Sequence, residues 1–237
     1  MDWVRTTTQL PLLTQYKVLF KHYYRLIIIG CGLMIFQQLS GIVITLQYGP
    51  ALIEIAGFET DEVPKETAAV VLSLPLSFVR MLGTIISLQV IDTQGRRATL
   101  LKTLPILIVT MLLMGGSIAL FNNATQDVLV LLGKWLTLAL MIVFLFSYSV
   151  GLEFIPWLIN SEIYPLFLIG SASALSAFSH WITCFIIASC FDQTRVVALI
   201  EFGAFCNFFC FIFVKKLVAE TNGNSIIKNV ALMLKKS

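Results

Sequence analysis

Three stretches of this chain, Leu26 to Ile53, Thr103 to Gln126 and Ile163 to Phe191, run without one charged side chain. Three more nearly do: Thr67 to Ile91 carries only Arg80, Val128 to Leu152 only Lys134, and Val196 to Val214 only Glu201. A bilayer core is about 30 Å thick, so about 20 mostly apolar residues cross it as a helix. Backbone groups in hydrocarbon find no water, so a spanning segment must be a helix or part of a closed barrel. The alternation of a barrel strand is absent. Composition agrees, with 58% apolar and 12% charged among 237 residues, against about 45–50% and about 25% in soluble domains. A soluble fold would leave sticky patches, and disorder fails on hydrophobicity. The formal charge is only +3 with no basic face, so no nucleic-acid partner is expected. The expected fold is an all-α membrane protein, a six-transmembrane-helix bundle in a lipid bilayer.

Basic residues set the orientation of such a bundle. Arg5, Lys17, Lys21 and Arg25 precede the first span, and Arg96, Arg97 and Lys102 lie between the second and third. Lys215, Lys216, Lys228, Lys235 and Lys236 follow the sixth. Together they are most of the 16 Lys and Arg, and placing them on one side puts both termini in the cytoplasm. Residues 1–24 are then expected to be a cytoplasmic linker, 25–217 the membrane domain and 218–237 a cytoplasmic tail, in the plasma membrane or an internal one. The first outer loop is acidic (Glu54, Glu59, Asp61, Glu62, Glu66), and the second carries the glycosylation sequon Asn123-Ala124-Thr125. The first span starts too far in, and runs too long, for a cleavable signal peptide. Gly49-Pro50 is expected to break or kink it near its end.

Polar groups at membrane depth are costly and therefore candidates for function. Gln37 and Gln38 sit side by side in the first span. On a helix they point about 100° apart, so at most one is expected to face a given partner squarely. Their amides suit a hydroxylated ligand or a neighbouring helix, and the residues alone leave both open. Asp92 to Arg97 reads as a tight turn whose arginines either anchor the loop or pair with carboxylates such as Glu162 and Glu220. Glu153 to Trp157 combines a carboxylate, the proline break of Pro156 and an aromatic, which is either a flat face for a ligand or an interfacial anchor. The small residues Gly170 to Ala177 predict close helix packing. His180 after them reads as a hydrogen-bonding partner of another helix rather than a proton relay. Arg80 at mid-span needs a partner, and Glu153 and Glu201 are the candidates. Cys206 and Cys210 share a helix face without nearby histidines or carboxylates and read as packing residues; no metal and no cofactor is expected. With no nucleophile–base pair or phosphate loop, an enzyme is not expected.

Taken together, these strings resemble the sugar porters of the major facilitator superfamily, which include the facilitative glucose transporters. The likeness covers nearly the whole chain and is to the C-terminal half of that fold. Leu19-Phe20 with Tyr24-Arg25 resembles the end of the linker before the seventh helix, and Gln37-Gln38-Leu39-Ser40-Gly41-Ile42 the seventh-helix signature. Asp92 with Gly95-Arg96-Arg97 matches the signature between helices eight and nine, and Ile155-Pro156-Trp157 with Ser161-Glu162 the tenth-helix motif. Phe178-Ser179 with Trp181 fits helix eleven, and Glu220-Thr221 with Gly223 fits the motif after helix twelve.

The resemblance implies a substrate-binding set of Gln37, Gln38, Tyr48, Trp157 and His180, the glutamines bonding sugar hydroxyls and Trp157 stacking on the ring. It implies that Asp92, Arg96, Arg97, Glu162 and Glu220 form a gating charge network. The chain also departs from the family's pattern. Val43, Arg80 and Cys184 stand where asparagines are expected, Gln47 for a tyrosine and Ser149 for a glutamate. Glu153 replaces a glycine, His180 an asparagine and Ile169 an arginine, the last leaving Glu162 without that partner. The function implied is a half-length hexose transporter working by alternating access, by facilitated diffusion or proton coupling. Its cavity would be completed by a second half or a second copy. The alternative is a non-transporting membrane subunit, or degenerate fragment, that modulates a full-length transporter.

Overall fold

The structure is a computed structural model and describes residues 11–47, 65–121, 127–190 and 196–235. Among them the chain forms helices α1 (Leu12–His22), α2 (Tyr24–Leu39), α3 (Ile42–Gln47), α4 (Lys65–Gln94) and α5 (Arg96–Phe121). These are followed by α6 (Asp127–Val150), α7 (Ile155–Ile163), α8 (Ile169–Ser189), α9 (Val196–Leu217) and α10 (Ile226–Lys235). Five runs are long and apolar enough to cross a membrane: Leu74–Gln94, Arg96–Ala119, Val128–Ile163, Ile169–Ser189 and Val196–Leu217. A sixth is present if α1 and α2, bent by 96° to each other, count as one span. The all-α membrane bundle read from the sequence is the fold observed.

The boundaries differ where prolines and glycines intervene. The fourth span does not stop at Leu152 but continues through a turn at 151–154 into α7. The fifth starts at Ile169 rather than Ile163, because Tyr164 is extended (φ −96, ψ 142) ahead of Pro165, as residues before proline tend to be. In the first span, Gly49-Pro50 lies outside the described residues, and a break falls earlier, at Ser40 and Gly41. Gly41 has φ +94, which L side chains rarely adopt, and a Cβ there would collide with the Met111 side chain.

That break leaves the Ser40 carbonyl without a helical partner. Asn207, fully buried in α9, donates Nδ2 to it at 3.0 Å. Asn207→Leu keeps the volume and removes the donor. It is expected to lower stability by about 1–3 kcal/mol, the usual cost of an orphaned buried carbonyl, read as an earlier thermal midpoint of the chain in detergent.

Helix α5 is the centre of the bundle. Leu100, Leu104, Leu107, Met111 and Met114 recur at helical spacing on it and are fully buried. The helix packs between α6 and α9, α6 also carries α4, and α2 packs on α8. The small residues of α8 serve that last contact, with Ser171, Ala172 and Ser176 buried. Tyr164 ties the same corner, reaching the Leu26 carbonyl at 3.3 Å and Ser176 Oγ at 3.1 Å. Phe178 and Phe185 on α8, and Phe202, Phe205, Phe208 and Phe209 on α9, stay exposed, as side chains facing hydrocarbon do.

Candidate functional site

Two helix breaks meet at mid-bundle. One is the α2–α3 break; the other separates α6 from α7. Pro156 has no N–H and crowds the carbonyl four residues back, so the Leu152 carbonyl loses its helical donor and the chain turns. Gln37 supplies the missing donor. Its Nε2 reaches the Leu152 carbonyl at 2.8 Å and the Glu153 carbonyl at 2.7 Å. The buried Gln37 side chain therefore holds a break on a helix distant in sequence, and satisfies backbone that would otherwise lie bare at membrane depth.

A cleft of about 560 Å³ opens beside these breaks, lined by Gln37, Gln38, Val43, Arg80, Tyr148, Glu153, Trp157, His180 and Cys184 among others. That is within the usual range for small-molecule sites, roughly 300–1,000 Å³. His180 organises one wall. Its Nδ1 lies 3.1 Å from Gln37 Oε1, and Gln38 Nε2 lies 3.0 Å from Nδ1 and 3.1 Å from Nε2. A neutral ring protonated at Nδ1 donates to Gln37 Oε1 and accepts from Gln38 at Nε2. Both glutamines thus meet one imidazole, contrary to the expectation that only one would face a given partner. The helical angle separates their Cβ atoms, but three flexible bonds bring both amides to a ring that α8 presents between them. Trp157 and Trp181 make edge contacts with His180 at 5.2 and 5.1 Å between ring centroids. Trp157 keeps 41% of its surface exposed, leaving ring area free toward the cleft.

Opposite, Arg80 pairs with Glu153. Its Nε lies 3.0 Å from Glu153 Oε1, and Nη2 contacts the same oxygen. Of the two carboxylates considered for Arg80, the structure selects Glu153 because α4 packs on α6. Glu201 lies exposed on α9, beside Gly115 of α5.

The charged cluster forms at the end of the bundle where α4 turns into α5. Arg96 bonds Glu162 at 3.1 Å and Asp92 at 3.4 Å, and also reaches Asn222. Glu162 therefore has a partner without the arginine whose place Ile169 takes. Arg97 instead donates to the Lys215 carbonyl at 3.0 Å. Among the described residues, Glu220 meets no guanidinium. Its carboxylate accepts the backbone N–H groups of Arg96 at 2.8 Å, Arg97 at 3.0 Å and Ala98 at 3.3 Å. Those are the unsatisfied donors of the first turn of α5, where the helix dipole favours an anion. Gly95 makes room for it: φ is +92, and a Cβ there would stand 2.7 Å from the Glu220 carboxyl.

Of the site residues read from the sequence, Gln37, Gln38, Trp157, His180, Arg80 and Glu153 come together in the cleft. Asp92, Arg96, Arg97, Glu162 and Glu220 come together at the turn end. Tyr48 and the Asn123 sequon lie outside the described residues, and Glu201 stands apart. Sequence reasoning missed Tyr148, a buried member of the cleft wall, and Asn207. Asn207 is a lone amide in an apolar span, and that was the available signal.

Comparison with known proteins adds independent support. Residues 5–231 match the family described as Sugar (and other) transporter. The chain is 31% identical over 217 residues to the facilitated trehalose transporter Tret1 of Bombyx mori, covering 89% of this chain and 41% of that protein. It is 28% identical over 222 residues to the solute carrier family 2, facilitated glucose transporter member 8, of Mus musculus, covering 86% and 45%. The inward-open xylose transporter XylE from E. coli shares the fold, with a TM-score of 0.70 at 19% identity, over 92% of this chain and 44% of that one. The chain thus spans less than half the length of these relatives.

Proposed function

Since the chain belongs to the Sugar (and other) transporter family, a multi-pass membrane family of carriers, we propose that it moves a hexose or a related small solute by alternating access. It would supply one wall of the cavity, facing a second six-helix bundle on the same polypeptide, on another or on a second copy. The observation that carries this reading is the cleft itself, where two helix breaks place amides, an imidazole and an indole face around one hollow at membrane depth. Such a lining offers hydroxyl-bonding groups beside a flat apolar face. Within the proposal, both termini and the α4–α5 turn are cytoplasmic, residues 1–24 are a linker and 218–237 a tail. The charge cluster around Arg96 and Glu162 then acts as a latch broken and remade as the bundles rock. Glu153, the carboxylate lining the cleft, is already paired with Arg80, which favours facilitated diffusion over proton coupling.

The test is uptake of labelled hexose by cells lacking their own hexose carriers. Saturable uptake is expected only where a second bundle faces the cleft. Gln38→Ala is expected to lower it about tenfold at unchanged membrane abundance, since a lost bond to a bound polar group is worth on the order of 1.4 kcal/mol. Normal uptake by that variant removes the glutamine from the site.

One observation favours the alternative, a non-transporting subunit that modulates a full-length carrier. Gln37 has both amide atoms engaged by the protein itself. Under that reading co-expression changes the abundance of a full-length transporter, and Gln38→Ala leaves the effect intact.

A further inference from the structure

The wall of the cleft formed by Arg80 and Glu153 has unfilled bonding capacity. Both nitrogens that Arg80 commits, Nε and Nη2, go to a single oxygen, Glu153 Oε1. Glu153 Oε2 is shielded from solvent and has no partner among the described residues. Arg80 keeps 37% of its side chain exposed and Glu153 13%. A second hollow of about 370 Å³, lined also by Ser77 and Thr84, touches the same pair from its other side. An unsatisfied acceptor, shielded until its carboxylate turns, therefore stands next to a partly exposed cationic donor, and the pair is neutral as a unit.

That charge balance decides what fits. A carboxylate or phosphate drawn to Arg80 meets the like charge of Glu153, so an acidic solute gains one contact and suffers another. Two adjacent hydroxyls suffer neither. Once a turn of the carboxylate exposes Glu153 Oε2, one hydroxyl donates its proton to it. Its neighbour accepts from Nη1 of Arg80, which makes no hydrogen bond among the described residues. Both bonds are charge-assisted. We propose, on the premise of sugar transport, that Arg80 and Glu153 form a vicinal-diol subsite, which makes the substrate a neutral polyhydroxyl solute rather than a sugar acid. The subsite takes over hydroxyl binding where Val43, Ser149 and Cys184 offer no amide or carboxylate.

Equilibrium binding of radiolabelled D-glucose to the full chain in lipid nanodiscs tests this, with the monodeoxy forms of D-glucose and D-glucuronate as competitors. Two monodeoxy forms lacking adjacent hydroxyls are expected to compete about tenfold more weakly than D-glucose, and D-glucuronate at least as weakly. In an R80M/E153L double variant, which removes both charges and so leaves neither buried alone, that penalty on the two deoxy forms is expected to vanish. If all monodeoxy forms compete equally, or the penalty survives in the double variant, the diol subsite is wrong while the sugar reading stands. D-glucuronate competing better than D-glucose overturns the subsite in favour of an anion site at Arg80. If neither D-glucose nor D-glucuronate binds the native chain, the diol subsite falls, and the uptake assay decides the sugar reading separately.

Discussion

Gln37→Leu is expected to lower the stability of the membrane domain by about 2–4 kcal/mol and to abolish solute uptake at any tolerated expression level. The amide nitrogen of Gln37 holds the carbonyls of Leu152 and Glu153, at 2.8 and 2.7 Å, and its oxygen faces His180. Leucine matches the shape but offers no donor. Each buried carbonyl left bare costs about 1–3 kcal/mol, and at membrane depth no water replaces the bond. Thermal unfolding in detergent, followed by size-exclusion of the remaining folded chain, measures the first effect, and hexose uptake the second. Gln37→Glu separates them: it keeps an acceptor for His180 but removes the donor, so it should be destabilised nearly as much. A Gln37→Leu chain with an unchanged midpoint would show that the α6–α7 turn holds itself.

Glu220→Ala is expected to cost a further 2–4 kcal/mol, roughly, at the opposite end of the site. Five backbone N–H groups converge on that carboxylate: those of Arg96, Arg97 and Ala98, and of Thr221 and Asn222. Charge-assisted bonds of this kind contribute about 1.5–3 kcal/mol, and the dipole of α5 adds up to about 2. The side chain is half-buried, so part of this is screened by solvent, which sets the estimate below the sum. Glu220→Gln retains an acceptor without the charge and should recover about half. Salt separates the contributions too, since the dipole interaction is screened at high ionic strength and the local hydrogen bonds are much less so. Hydrogen exchange at the amides of Arg96 to Ala98 reads the effect directly, with faster exchange expected in both variants.

The spans were legible because absence of charge over about 20 residues leaves a chain little choice. The α6–α7 break was legible for a similar reason, since Pro156 removes a donor wherever it stands. Other features depend on residues far away in sequence. Nothing local to Ser40-Gly41 marks it as a break, because a glycine within a helix is common. The cause is tertiary: the Met111 side chain fills the space a Cβ would need, and Asn207 donates to the freed Ser40 carbonyl.

The charges divide in the same way. Residue type alone leaves open whether Arg96 and Arg97 pair with Glu162 and Glu220; the structure places Arg96 on Glu162 and keeps both guanidinium groups off Glu220. The structure shows the main chain of those same arginines as its partner, a donor set that no sequence displays by residue type. For Arg80, two carboxylates were equally plausible until the packing of α4 on α6 separated them. The convergence of Gln37 and Gln38 on His180 required the register of α2 against α8, which small residues permit but do not specify.

One consequence follows from that trio. Gln37 and Gln38 already hydrogen-bond His180, so a hydroxyl arriving at the imidazole or at Gln37 replaces an existing bond instead of adding a new one. The net gain from such an exchange is small, and a guest held this way has a short residence time. Under the proposed function, which requires release on the far side, loose tenancy is the useful outcome.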